Sequence, residues 1–260
     1  MPPELKPLLV RARTATRDEL QSLVHEASEE GLLALLDNPN LEEPEVAQLL
    51  DRLDLPVTVL SAVAGGGKWT SSEAVRFRLA SHPRTPKRFA LAAVRQLYLF
   101  DLVRLSLLPS APADIRRVAD EVMLTRVPHL PTGEKLTLAR RGPSRVAGAI
   151  LAEGHPQAVK LALGNPLLTE SQILKALAKA NVPERVVAAI AQHPKWSCHY
   201  NVRVALVRHA HTPTASLRRF LPNLTLRDLK DIARLERLAP HLKKHLRQEL
   251  ARRFAAGKSG

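Results

Sequence analysis

Val75-Arg76-Phe77-Arg78-Leu79-Ala80-Ser81-His82-Pro83-Arg84-Thr85-Pro86 and Val202-Arg203-Val204-Ala205-Leu206-Val207-Arg208-His209-Ala210-His211-Thr212-Pro213 are one phrase written twice. The second copy begins 127 residues after the first, since 202 − 75 = 127. The same offset carries Asn38-Pro39 onto Asn165-Pro166, Lys68-Trp69 onto Lys195-Trp196, and Asp101-Leu102 onto Asp228-Leu229. A tandem duplication makes the chain its own comparison. Residues held in both copies are candidates for what the fold needs, and residues that differ are candidates for what one copy does.

Inside each copy the apolar spacing is helical. Ile173, Leu174, Leu177 and Ala178 form an i, i+1, i+4, i+5 stripe, and Val186, Val187, Ile190 and Ala191 form another. Markers at 39, 83, 128, 166 and 210, set by Asn-Pro, His-Pro and His-Ala junctions and by Pro128-His129-Leu130-Pro131, are 44, 45, 38 and 44 residues apart. A period near forty residues made of helical pieces is the mark of a stacked helical repeat. The expected fold is all-α, an α-solenoid of stacked helical-hairpin repeats of about 40 residues, with halves at 1–127 and 128–254 and a flexible tail at 255–260.

The junctions suggest how helices begin and end. Thr85-Pro86 and Thr212-Pro213 read as an N-cap followed by a first-turn proline. His82, His209, Asn38 and Asn165 stand where a preceding helix must stop, a place for a left-handed residue or a polar cap. Thr70-Ser71-Ser72-Glu73 resembles a capping box whose counterpart keeps Ser197 but loses the Glu. Asp101 and Asp228 are expected caps as well. Trp69 and Trp196 are equivalent, and each is expected to pack under its own repeat.

The Val75–Pro86 and Val202–Pro213 phrases resemble those of bacterial HEAT-like α-solenoids, particularly the leucine-rich-repeat-variant type. That resemblance implies a curved helical stack whose use is binding. Some variant-repeat proteins carry an iron–sulfur cluster on a cysteine-rich segment. Here there is one cysteine, Cys198, so that feature is not carried over.

Composition narrows the function classes. Apolar residues make up 45% of the 260, enough for a packed interior, and aromatics only 3%, too few for a base-binding cage. One cysteine excludes an internal disulfide framework and fits a reducing, cytoplasmic setting. The first residues show no secretory signal pattern, and no apolar run reaches the ~20 residues that span a bilayer. Gly65-Gly66-Gly67-Lys68 lacks the spacing, the Ser/Thr and the preceding strand of a phosphate loop, and reads as an inter-helix turn. His193, Cys198, His199, His209 and His211 crowd together, but without a recognised zinc spacing they read as capping or solvated groups. No paired carboxylates or nucleophile–base motif is present. Neither an enzyme nor a cofactor is expected.

Charge separates the copies. Residues 1–127 hold 16 Lys+Arg and 17 Asp+Glu, whereas the remainder hold 23 and 8 (39 − 16 and 25 − 17). Eight of the ten histidines also lie in the second half. Candidate partner-binding residues are Arg203, Arg208, Arg218, Arg219, Arg227, Lys230, Arg234, Lys243, Lys244 and Arg247, with Arg237, Arg252 and Arg253 in the same basic stretch. Such a surface suits an acidic protein partner bound by an adaptor, or the phosphates of a nucleic acid. A third reading is head-to-tail self-assembly. It pairs the basic half with an acidic patch at 25–54 that contains Glu26, Glu29, Glu30, Asp37, Glu42, Glu43, Glu45, Asp51 and Asp54 against one base, Arg52.

Overall fold

The computed structural model describes residues 5–26, 28–235 and 238–256, so Arg237 and the tail from 257 onward lie outside the described residues. The described chain is all-α: eighteen α-helices and three short 3-10 turns, with no strand among the described residues. It divides into two compact units, Met1–Arg126 and Val127–Gly260. The first contains α1 (Leu5–Thr14), α2 (Arg17–Glu26), α3 (Glu29–Leu36), α4 (Glu43–Leu50), α5 (Val57–Gly65), α6 (Glu73–Ser81), α7 (Lys87–Gln96), α8 (Leu99–Leu107) and α9 (Ala113–Arg126). The second contains α10 (Thr132–Arg141), α11 (Ser144–Glu153), α12 (Pro156–Leu163), α13 (Glu170–Leu177), α14 (Glu184–Gln192), α15 (Tyr200–Arg208), α16 (Thr214–Phe220), α17 (Leu226–Ala233) and α18 (Pro240–Ala256).

The helices repeat at the sequence offset. Both ends of α10 to α15 match those of α1 to α6 displaced by 127 residues, from 132 − 5 to 208 − 81. The last three helices of each unit also begin at that displacement (214 − 87, 226 − 99 and 240 − 113 all equal 127). In the first unit each helix from α1 to α7 packs on the next but one, and in the second α10, α11, α12 and α13 do the same. The starts of α1, α3, α5, α7 and α9 are 24, 28, 30 and 26 residues apart, so the packing step is shorter than the expected forty. The sequence markers fall after α3, α6, α9, α12 and α15, which puts three helices rather than a hairpin in each marked stretch. They mark particular junction chemistry and not the stacking period.

Short helices leave a large share of their backbone groups at exposed ends, because four N–H and four C=O per helix lack an internal partner. Here α3, α4, α12, α13 and α17 are eight residues each, so their ends must be satisfied from elsewhere. Asn38 closes the end of the ten-residue α1 in this way. Its Nδ2 donates to the Ala12 and Ala15 carbonyls at 2.8 and 3.2 Å, and its Oδ1 accepts from the Asn40 N–H at 2.8 Å. Asn165 repeats the arrangement on Ala139, Gly142 and Leu167 at 3.0, 3.0 and 2.8 Å. Both side chains are buried. The two asparagines therefore tie a helix to the one two places earlier. Arg126 binds the carbonyls of Leu97 and Arg95, and its counterpart Arg253 binds those of Leu221 and Pro222.

Several expected caps lie elsewhere. No residue other than glycine has positive φ among the described residues, so Asn38, Asn165, His82 and His209 are not left-handed stops. They act through their side chains instead: the His82 ring bonds the Arg52 carbonyl and accepts from the Arg84 N–H, and His209 accepts from His211. The N-cap residues of α7 and α16 are Pro86 and Pro213, one position after the expected threonines. Thr212 Oγ1 donates to the Leu206 carbonyl, back into the helix just ended, and Thr85 is buried. In α6 the cap is Ser72, whose Oγ accepts from Val75, and not Thr70. His199 takes that place in α15 with no side-chain cap. Asp101 and Asp228 stand in the first turn of their helices, behind the N-cap residues Tyr98 and Thr225.

The core follows the helical stripes. Val186, Val187, Ile190 and Ala191 are all buried, as are Ile173 and Leu177, while Leu174 is half-buried and Ala178 exposed. Each fully buried aliphatic side chain contributes roughly 1.5–3 kcal/mol. Trp196 is 1% exposed and Trp69 7%, so both pack inside their own units. Trp196 Nε1 donates to the Leu163 carbonyl at 2.9 Å, again satisfying a helix end.

The asparagine bonds set a clear expectation. Asn165→Ala leaves the buried Ala139 and Gly142 carbonyls without partners and should lower stability by about 2–4 kcal/mol, read from the urea midpoint at unchanged slope. Asn165→Asp should cost at least as much, because a carboxylate cannot donate to either carbonyl.

Candidate functional site

The basic residues of the second unit divide into two kinds. Some hold backbone. Arg203 Nε donates to the Ser197 carbonyl at 2.9 Å and Nη2 to that of Cys198, as Arg76 holds Thr70 and Ser71 in the first unit. Arg219 donates to the Ala191 carbonyl and lies over the Phe220 ring at 4.9 Å. Arg252 and Arg253 embrace Glu249 at 2.7 and 2.9 Å and hold its carboxyl below the usual range, Arg252 being the stronger influence. These groups are occupied within the fold.

Others face outward. Arg227, Lys230 and Arg234 follow i, i+3, i+7 spacing along and just beyond α17, and all three are exposed. On α18 the exposed Lys243, Lys244 and Arg247 oppose the buried Leu242, Leu246 and Glu249. Arg208 and Arg218 are exposed as well. Among the described residues Arg227, Lys230, Lys243, Lys244 and Arg247 have no carboxylate within ion-pair distance, whereas Arg234 reaches Asp231 at 3.4 Å. Lys230 lies 5.4 Å from the ring of the exposed Phe254. At the positions of Arg227 and Arg234 the first unit has Phe100 and Leu107, also exposed (227 − 100 = 234 − 107 = 127). One fold thus carries cations in one copy and apolar groups in the other.

The acidic patch of the first unit differs in character. Asp37 pairs with Arg13 at 3.6 Å, Glu42 and Glu45 with Arg17 at 2.9 and 3.6 Å, Asp51 with Arg78 at 2.8 Å, and Asp54 with Arg52 at 2.8 Å. Glu29 accepts from Thr58. The Glu26 side chain lies outside the described residues. Five of the nine acids are thus paired, with four arginines, while Glu29, Glu30 and Glu43 stay exposed.

The histidines gather around Trp196 and the end of α15. The rings of His193 and His199 lie 6.5 and 5.3 Å from Trp196, with Lys195 over its face at 4.2 Å, matching Lys68 over Trp69 at 4.0 Å. His199 Nδ1 is 3.3 Å from Glu170, and the exposed Cys198 thiol contacts the Pro194 carbonyl. No three His, Cys, Asp or Glu side chains converge as a metal site among the described residues. The His193 and His209 rings titrate below the ordinary value, first because burial disfavours the charged ring and then because Lys195 and His211 stand near them.

The glycine run forms the expected turn: Gly66 caps α5 and Gly67 has φ +67°. Glu73 and Tyr200 occupy equivalent positions and do one job with different groups. Glu73 accepts from the Tyr98 N–H at 2.8 Å, and the Tyr200 hydroxyl accepts from the Thr225 N–H at 3.0 Å. Tyr200 also donates to Asp228, whose carboxyl is held below its ordinary range chiefly by Thr225 and then by this hydroxyl. Burial raises Asp101 instead, beside the Glu73 carboxylate.

One concavity escaped the reading of the sequence. A cavity of about 350 Å³ lies in the second unit, lined by Leu130, Leu136 and Ile150 with Lys135, Glu153, His155 and Arg185. The signal was available: at positions 8, 28 and 58 the first copy has Leu, Ser and Thr where the second has Lys135, His155 and Arg185. No known protein family, curated protein or solved structure matches the chain. No helix among the described residues is long and apolar enough to cross a membrane.

Two measurements follow from this partition. Arg203→Ala should lower stability by about 1–3 kcal/mol, because two carbonyls lose a charged donor, while Arg247→Ala should change it by no more than about 0.5 kcal/mol. The depressed histidines give the pH dependence. Below the ordinary value of 6.5 the unfolded chain takes up more protons than the folded one, so stability should fall as pH drops through 6.5. Thermal midpoints of the full chain from about pH 7.5 to about 5.5 should decline, and His193→Gln with His209→Asn should flatten the decline.

Proposed function

We propose that this chain is a non-enzymatic binding scaffold, an α-solenoid whose basic second unit engages an acidic protein surface in the cytoplasm. The next-but-one helix packing within each unit supports the stacked architecture. The observation that carries the binding reading is the outward set Arg227, Lys230, Lys243, Lys244 and Arg247, exposed on α17 and α18 without carboxylate partners among the described residues. At the positions of Arg227, Lys230 and Arg247 the other copy has Phe100, Val103 and Asp120, so those three cations are not required by the fold, whereas Lys243 and Lys244 have basic counterparts in Arg116 and Arg117. Arg203 and Arg219 support the fold and are not assigned to the partner.

Head-to-tail self-association has less support, because five of the nine acids that would receive these cations are paired inside the first unit. A nucleic-acid partner would use the same cations through phosphates, with the exposed Phe254 beside Lys230.

The test is binding of a labelled poly-glutamate peptide and a labelled DNA duplex, in parallel, at ~0.15 M salt. Reversing Arg227, Lys230, Lys243 and Arg247 to Glu should weaken peptide binding by tenfold or more at unchanged helicity. Tighter binding to the duplex, with affinity falling steeply as salt rises, assigns the face to nucleic acid. Affinity for neither probe removes the basic-face reading.

A further inference from the structure

We propose that the cavity beside α10, α11, α12 and α14 binds a small molecule carrying a carboxylate or phosphate on a short apolar body. The volume of about 350 Å³ lies in the range of ligand sites. Its walls combine an apolar side, Leu130, Leu136 and Ile150, with polar groups delivered from several helices. Lys135 comes from α10, Glu153 ends α11, His155 precedes α12, and Arg185 stands in the first turn of α14.

The charges favour an anion. Lys135 Nζ lies 3.3 Å from Glu153 Oε2 and 3.3 Å from the Pro128 carbonyl, so the one carboxylate in the cavity is already balanced. Arg185 is exposed and has no carboxylate partner among the described residues, which leaves its guanidinium available at the cavity. A planar guanidinium presents paired donors that fit a carboxylate or phosphate. The apolar wall then takes the ligand's carbon body.

The backbone is shaped for this convergence. Gly154 has φ +81°, and a Cβ there would fall 2.6 Å from Pro183 Cγ. Glycine lets the α11–α12 turn approach the start of α14, so His155 and Arg185 line one space. The first copy has Ala27 at this position in sequence.

The duplication argues against a packing requirement. At the positions of Lys135, His155 and Arg185 the first copy has Leu8, Ser28 and Thr58. Ser28 Oγ accepts from the Gly31 N–H at 3.3 Å, and Thr58 donates to Glu29 at 2.6 Å, both local tasks. Pro156 replaces Glu29, which removes a carboxylate that would repel an anion. All these changes suit one ligand chemistry, and the helices keep the same boundaries without them.

Calorimetric titration of the full chain with hexanoate, hexyl phosphate, acetate and inorganic phosphate tests the proposal. Saturable binding of hexanoate or hexyl phosphate, at least tenfold tighter than its short counterpart, is expected, and the preferred headgroup identifies the source. Arg185→Thr, which installs the first copy's residue, should weaken that binding tenfold or more. Lys135→Met should weaken it too, with circular dichroism unchanged in both variants. Arg227→Gln and Arg247→Gln should leave it unaltered while weakening poly-glutamate binding, which separates this site from the basic face. Absence of saturable binding by both hexyl probes, equal affinity for long and short probes, or binding indifferent to Arg185→Thr would overturn the assignment.

Discussion

A buried carboxamide that closes a helix end is the contact on which the rest of this structure leans. Asn38 and Asn165 each satisfy two carbonyls and one amide, and each ties a helix to another two places away. The need for such a contact comes from helix length. A helix of ten residues, like α1 and α10, leaves most of its terminal groups unpaired and would be marginal alone. A chain of many short helices therefore has an unusual number of ends to satisfy without water. The arginines at 76, 203, 126 and 253 and the indole of Trp196 answer the same demand. Packing of the aliphatic stripes supplies the driving force, and these polar groups select which ends meet.

Viewed this way, arginine in the second unit is two populations with one side chain. Arg203 and Arg253 reach backbone carbonyls and have counterparts in the first unit, so they belong to the fold. Arg227 and Arg247 have Phe100 and Asp120 as counterparts and lie exposed, so the fold does not require them. A net charge alone merges the two. The local pairing of Asp37, Glu42, Asp51 and Asp54 shows the same distinction from the acidic side, since formal charge counted along the chain overstates what reaches solvent.

The all-α class and the helix positions were legible because the apolar period and the offset are local or additive properties of sequence. The stacking step was not. Proline and asparagine mark junctions with a particular chemistry, and those fall after every third helix, whereas contacts step by two. Helix starts were legible to within a position, but the residue type of the cap was not: at Thr85 and Thr212 the cap is the proline that follows, because a proline can itself hold the extended backbone before a helix. The duplication separates Arg203 from Arg208, since the first copy has Arg76 at the one position and Ser81 at the other, but only the fold shows that the Ser197 carbonyl meets the Arg203 guanidinium. The cavity was hidden for a related reason: Lys135, His155 and Arg185 are fifty residues apart end to end (185 − 135 = 50), and only the difference between copies links them.

The asparagine staples also bear on how the molecule ages. Asparagine drifts to aspartate when the following backbone nitrogen attacks its side-chain carbonyl. Both Asn38 and Asn165 precede proline, whose nitrogen carries no hydrogen and cannot close that ring in the ordinary way. The residue after each carboxamide thus protects it from becoming a carboxylate that would face two carbonyl oxygens inside the core. The Asn-Pro pair shared by both copies is a lock placed beside its own corrosion guard.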